Sequence, residues 1–151
     1  MRRIPRGVLI AAVVAVIAGL ALLVWRGSGR GSPSNLNIGD CFDVPTAGER
    51  IEDIRSLACS GPHAGEVFHR YEAAATGATY PTDADWEALV YPVCDPVFED
   101  YTGTPVGDRL DIGYLYLVPT ADRWTAGDRR VTCFIASLDG TPLGRSYRTA
   151  P

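Results

Sequence analysis

Hydrophobic positions change their period along this chain, and each change marks an element. From Val8 to Trp25 (VLIAAVVAVIAGLALLVW) every residue is uncharged and nearly all are apolar. That run reaches the length at which a helix crosses a bilayer, about 18–20 residues. Further on, Glu66 to Ala74 alternates, with Val67, His69, Tyr71 and Ala73 on one face and Phe68, Arg70 and Glu72 on the other. Period two of this kind predicts a strand. Short strands are also predicted at Leu36–Phe42 and Ile54–Cys59. Ile112–Val118 is apolar on both faces and predicts a buried central strand. Val131–Leu138 predicts another, with Val131, Cys133 and Ile135 on one side, and Leu143–Tyr147 an edge strand.

Between Asp83 and Tyr101 the period becomes helical. Trp86, Leu89, Val90, Val93, Cys94, Val97, Phe98 and Tyr101 recur at steps of three and four, the stripe of an amphipathic helix packed on a sheet. Thr82 or Asp83 supplies a cap at its start and Gly103 a stop at its end. Pro92 and Pro96 conflict with a regular helix, because each removes a donor and crowds the preceding turn. A kink or two short helices are expected there. The fold class is α+β: a small antiparallel sheet with one principal helix, preceded by one transmembrane helix.

The chain divides accordingly into a cytoplasmic N-terminus (1–7), a transmembrane signal anchor (8–25), a flexible Gly, Ser and Pro-containing linker (26–35) and an extracytoplasmic domain (36–151). A cleaved signal peptide is the competing reading for the start. Its apolar stretch is shorter, about 7–15 residues, and is followed by a small-residue cleavage site. Here the run ends in Leu22-Leu23-Val24-Trp25-Arg26, which favours an uncleaved anchor. The first cysteine, Cys41, lies too far beyond the run for lipid attachment.

Charge adds orientation. All 14 basic residues are arginine, with Arg2, Arg3 and Arg6 before the apolar run and Arg26 and Arg30 just after it. The excess before the run places the N-terminus inside and the domain outside, so the expected location is the cell membrane, single-pass. Residues 31–151 hold all 18 acidic residues against nine arginines, a formal −9. Such a surface repels phosphates, which excludes nucleic acid as a partner.

Cys41, Cys59, Cys94 and Cys133 all follow the apolar run. An even number in a small exported domain predicts disulfides, whereas a zinc site usually shows closely spaced pairs. Of the three connectivities, placement favours Cys41–Cys59, on neighbouring strands, and Cys94–Cys133, which staples helix to sheet. No cofactor or metal is expected.

Few residues advertise chemistry. His63, Glu66 and His69 have a metal-like spacing. In an extended segment, however, His63 and His69 share a face and Glu66 points away. The structural reading has His63 bonding a turn and Glu66 pairing with an arginine. Trp124, with Asp128 and Arg129, offers either an exposed Trp–Arg anchor for a partner or a Trp that covers a disulfide beside a turn. There is no nucleophile elbow and no phosphate-binding glycine loop.

Several motifs taken in order carry a resemblance. Gly39-Asp40-Cys41-Phe42, then Cys59-Ser60-Gly61-Pro62-His63-Ala64-Gly65-Glu66-Val67, then Cys94, then Trp124-Thr125-Ala126-Gly127-Asp128-Arg129 ahead of Cys133 are similar to the septum-formation domain family of actinobacteria. The resemblance spans Leu36 to Leu138. It implies an envelope protein, often membrane-anchored, connected with cell division, and it implies no reaction. The expected function is therefore a non-enzymatic membrane-anchored domain that binds an envelope or cell-division partner. The alternative is an envelope hydrolase or metal-dependent enzyme using His63 and Glu66.

Overall fold

The computed structural model describes residues 30–31, 35–43, 54–74, 77 and 79–149. The apolar run at 8–25 and the N-terminus before it lie outside the described residues. Among the described residues no helix is long and apolar enough to cross a membrane.

Among the described residues six strands form one antiparallel sheet: β1 (Arg30–Gly31), β2 (Cys41–Asp43), β3 (Ile54–Leu57), β4 (Gly65–Glu72), β5 (Ile112–Leu117) and β6 (Arg130–Ser137). Their order is β1-β3-β2-β4-β6-β5. Among the described residues there are one long helix, α1 (Asp83–Thr102), and a short one, α2 (Ala121–Thr125). Arg30 and Gly31, inside the stretch read as linker, pair with Arg55 and Ile54.

Helix α1 begins with a capping box. The Thr82 hydroxyl accepts from the Asp85 amide, and the Asp85 carboxylate accepts from the Thr82 amide, so two donors at the helix start are satisfied. Gly103, at φ 71°, closes the end in the left-handed region. The helix is continuous through Pro92 and Pro96, so of the two expected outcomes the pair of short helices does not form. The prolines are one helical turn apart and both exposed. Losing the two amides frees the carbonyls of Ala88 and Pro92, which lie on the same exposed face, where water can satisfy them.

The core lies between α1 and one face of the sheet. Trp86, Val90, Cys94, Phe98 and Tyr101 meet Phe68, Ile112, Val131, Cys133 and Ile135. Phe68 is edge-on to Phe98, with ring centroids 5.6 Å apart. Burying each large side chain contributes about 1.5–3 kcal/mol. On the opposite face Leu36, Phe42, Ile54, Val67 and Phe134 form a second cluster. Gly65 belongs to this face by necessity, since a Cβ there would come within 2.6 Å of Phe42 and 2.8 Å of Phe134.

Two disulfides join Cys41 to Cys59 and Cys94 to Cys133, as placement favoured. The first ties β2 to the turn after β3. The second fastens α1 to β6.

Four strand expectations need correction. The alternation along β4 is broken by a bulge between Val67 and His69. Val67 opposes Phe134, whereas His69 opposes Cys133 and Tyr71 opposes Val131. Val67 therefore faces away from the helix while His69 and Tyr71 face it, and the single face drawn through all of them does not exist. Ile112–Leu117 is the outermost strand of the sheet, not a central one. The strand expected at Leu36–Phe42 is β2 and covers Cys41–Asp43. Finally, Leu143 makes a single bridge to His63 in place of an edge strand.

Candidate functional site

Glu66 is the least expected residue in the fold: a carboxylate with 0% of its surface exposed. Its register opposite Cys41 on one side and Ile135 on the other puts it on the helix face of β4. Glu66 Oε1 accepts from the Tyr101 hydroxyl at 2.8 Å and from the Ser146 hydroxyl at 2.6 Å. Oε2 accepts from the Tyr147 amide at 2.8 Å. The residue thus gathers the last turn of α1 and the C-terminal segment onto the sheet. The partners are two hydroxyls and an amide, not the arginine expected from the sequence. Burial first, and then the hydrogen bond to Glu66, drive the Tyr101 phenol well above its ordinary pKa. The Arg148 guanidinium, 5.7 Å from the Tyr101 ring centroid, pulls the other way.

The Cys41 and Cys59 sulfurs and the Glu66 carboxylate converge within 4.8 Å of one another. That is a ligand-like spacing, but the sulfurs are bonded to each other. A cysteine sulfur ligates a metal as a thiolate, and a disulfide offers none.

His63 is also buried. Its Nδ1 lies 2.8 Å from the Gly61 carbonyl, which accepts, so Nδ1 carries the proton. Its backbone pairs with Leu143 in both directions. His63 Nε2 is buried without a partner. The residue lines an open cavity of about 420 Å³ at the end of the sheet, shared with Asp43, Ser137 and Thr141. Glu66 is not among the residues lining it. His69 stacks on Tyr71 at 5.5 Å, and partial burial lowers its pKa. The bulge puts His69 and Glu66 on the same face of β4, contrary to the expected opposition. Glu66 is nonetheless occupied by Tyr101 and the C-terminal segment.

Trp124 is buried, so it is no exposed anchor. It stands edge-on to Trp86 at 5.4 Å, with Tyr80 a third ring at 6.2 Å. The Arg129 guanidinium lies 3.5 Å from the Trp124 ring centroid and donates to the Trp124 carbonyl at 2.6 Å. Asp128 bridges Arg123 at 2.8 Å and Arg130 at 3.1 Å. These hydrogen bonds, the one from Arg130 foremost, lower the Asp128 pKa to about 2. The Trp-x-x-Gly-Asp-Arg run is thus a packing unit that closes α2 onto α1 and leads into β6.

With this geometry in hand, the family model for septum formation matches residues 38–149. The chain belongs to the septum-formation family. The match ties this domain to cell division and covers both disulfides, the Glu66 network and the Trp124–Arg129 unit. No curated protein and no solved structure matches the chain.

Proposed function

We propose that this septum-formation domain is a non-enzymatic binding module, held to the outer face of the cell membrane by the 8–25 segment, that docks an envelope or cell-division protein. The observation that carries the reading is the state of Glu66. A hydrolase that works through Glu66 needs that carboxylate to reach substrate or water within hydrogen-bond distance. Glu66 is wholly enclosed, and its oxygens already accept from Tyr101, Ser146 and Tyr147. Its arrangement supports a structural role.

The alternative enzyme, using His63 and Glu66, draws support from one feature: the unpartnered Nε2 of His63 beside the cavity that this residue lines. Two measurements on the full chain separate the readings. In cells, crosslinking of the membrane-bound chain is expected to enrich a division or wall protein, and its absence would sink the binding reading. In detergent solution, incubation with purified cell wall is expected to release no fragments. Release that disappears in a folded His63→Ala variant would establish the enzyme instead.

A further inference from the structure

Strand β5 combines two properties that rarely coexist without a partner. Ile112–Leu117 (IGYLYL) is apolar on both faces, yet it lies at the outer end of the sheet. An edge strand offers unpaired amides and carbonyls on alternate residues, and edges are normally guarded by charge, proline or a bulge. β5 has none of these among its six residues, and its ladder with β6 is regular from Ile112 to Leu117.

The two faces beside this edge differ in chemistry. On the side away from α1, Leu115 is 57% exposed and Leu138 63% exposed. Leu138 reaches to within 2.8 Å of where a Gly113 Cβ would stand, so the glycine makes room for it. On the α1 side are Tyr114 and Tyr116, with the half-exposed Tyr91 edge-on to both at 6.4 Å. Asp83, Glu87, Tyr91 and Asp95 follow one another at four-residue steps and so share one edge of α1. The Asp95 carboxylate accepts from the Tyr114 hydroxyl. Burial, then Tyr91, Glu87 and Asp83 in turn, raise the Tyr116 pKa, in keeping with the contact that Tyr91 of the same helix edge makes with that ring.

We infer that the β5 edge is the docking site of this module, and that its occupant is an extended peptide segment alternating basic and apolar side chains. This rests on the binding reading above and names the surface and the partner's chemistry. A strand added at β5 alternates its side chains between the two sheet faces. Its apolar residues meet Leu115 and Leu138. Its arginines or lysines meet the rings of Tyr91, Tyr114 and Tyr116 and the carboxylates of Asp83 and Glu87, where cation–π and ionic attraction act together. A second copy of this chain is the natural competitor, since like edges often pair. Self-pairing would bring two such acidic rows together, each on a domain carrying a formal −9 from residue 31 onward, and like charges oppose it.

The test uses the full chain in detergent micelles and a fluorescent eight-residue Arg-Val repeat peptide, with a Glu-Val repeat as control. Anisotropy is expected to show binding of the basic peptide alone, weakening as salt rises. Leu115→Lys, and separately the Asp83→Lys/Glu87→Lys pair, should each weaken it at least tenfold. Hydrogen exchange should slow at residues 112–117 when the peptide is added. Three results would overturn the inference: no binding, binding indifferent to both variants, or self-association of the chain that Leu115→Lys abolishes. The in-cell crosslinking keeps this test separate from the broader reading. A division partner still captured by the Leu115→Lys chain would remove β5 as the site while leaving the module a binding domain.

Discussion

The Tyr101 hydroxyl at the end of α1 donates to the Glu66 carboxylate on β4 at 2.8 Å, a buried contact between residues 35 apart in sequence. A carboxylate this enclosed is stable only when hydrogen bonds replace its lost hydration. Here they come from the helix and from the C-terminal segment together. The segment is held from its other side as well: the Thr149 amide donates to the Tyr101 carbonyl at 2.9 Å. Glu66, Tyr101 and residues 146–149 therefore act as one clasp.

The clasp makes Glu66→Ala a strongly destabilising substitution. It strands the Tyr101 and Ser146 hydroxyls and the Tyr147 amide, and is expected to cost about 3–4 kcal/mol in urea unfolding. Glu66→Gln should cost less, because its amide oxygen still accepts. A double-mutant cycle with Tyr101→Phe should give a coupling of about 0.5–3 kcal/mol. Additive effects of the two substitutions would show that the contact carries no energy.

The disulfides should open in a fixed order. Cys59 is half-buried, whereas Cys94 and Cys133 are both fully buried, and exchange requires access to a sulfur. Graded reductant with alkylation and peptide mapping should label Cys41 and Cys59 well before Cys94 and Cys133. Removing either bridge is expected to cost about 2–4 kcal/mol. The sequence separations are 39 for Cys94–Cys133 and 18 for Cys41–Cys59. On loop entropy the longer one is worth about 0.7 kcal/mol more. Labelling of Cys94 first would contradict the burial argument.

What could be read in advance follows from the range of the interactions involved. Helix α1 was legible because its signals are local: the stripe from Trp86 to Tyr101, the Thr82 cap and the Gly103 stop. The cysteine pairing was legible because the strands and helix placed the pairs side by side. The bulge after Val67 was not, since nothing in the side chains of GEVFHRYE distinguishes a continuous alternation from one that skips at Phe68. The edge position of β5 was hidden for another reason. Apolar residues on both faces describe burial by something, but not whether that something belongs to the same chain. Glu66 was misread because two of its partners, Ser146 and Tyr147, lie 80 and 81 residues away, beyond any spacing rule.

Gly65 sets how closely the second cluster packs. Phe42 and Phe134 meet edge-on with centroids 5.2 Å apart, in the space a side chain at Gly65 would take. Gly65→Ala should therefore destabilise the domain by about 1–3 kcal/mol through overpacking. Phe42→Leu is mildly destabilising by itself, but it should restore part of the loss when combined with Gly65→Ala. A Gly65→Ala chain as stable as the original would mean that the two rings yield freely.

Acid stability should depend on Asp128. Its pKa in the folded chain is lowered to about 2 by Arg130 and Arg123, against about 3.9 for an unfolded aspartate. The folded state therefore binds this proton less readily than the unfolded one. The stabilisation is fully present above about pH 4 and is lost as pH falls from there through about 2. Asp128→Asn removes that dependence, so its urea midpoint should fall more shallowly than the original's between pH 4 and 2. At pH 7 the same substitution should lower the midpoint outright, because Arg123 and Arg130 lose the carboxylate charge and one of its two acceptor oxygens at the entry to β6. Parallel pH profiles for the two chains would show that the Asp128 ion pairs do not contribute to stability, and that Trp124 under Arg129 holds this corner unaided.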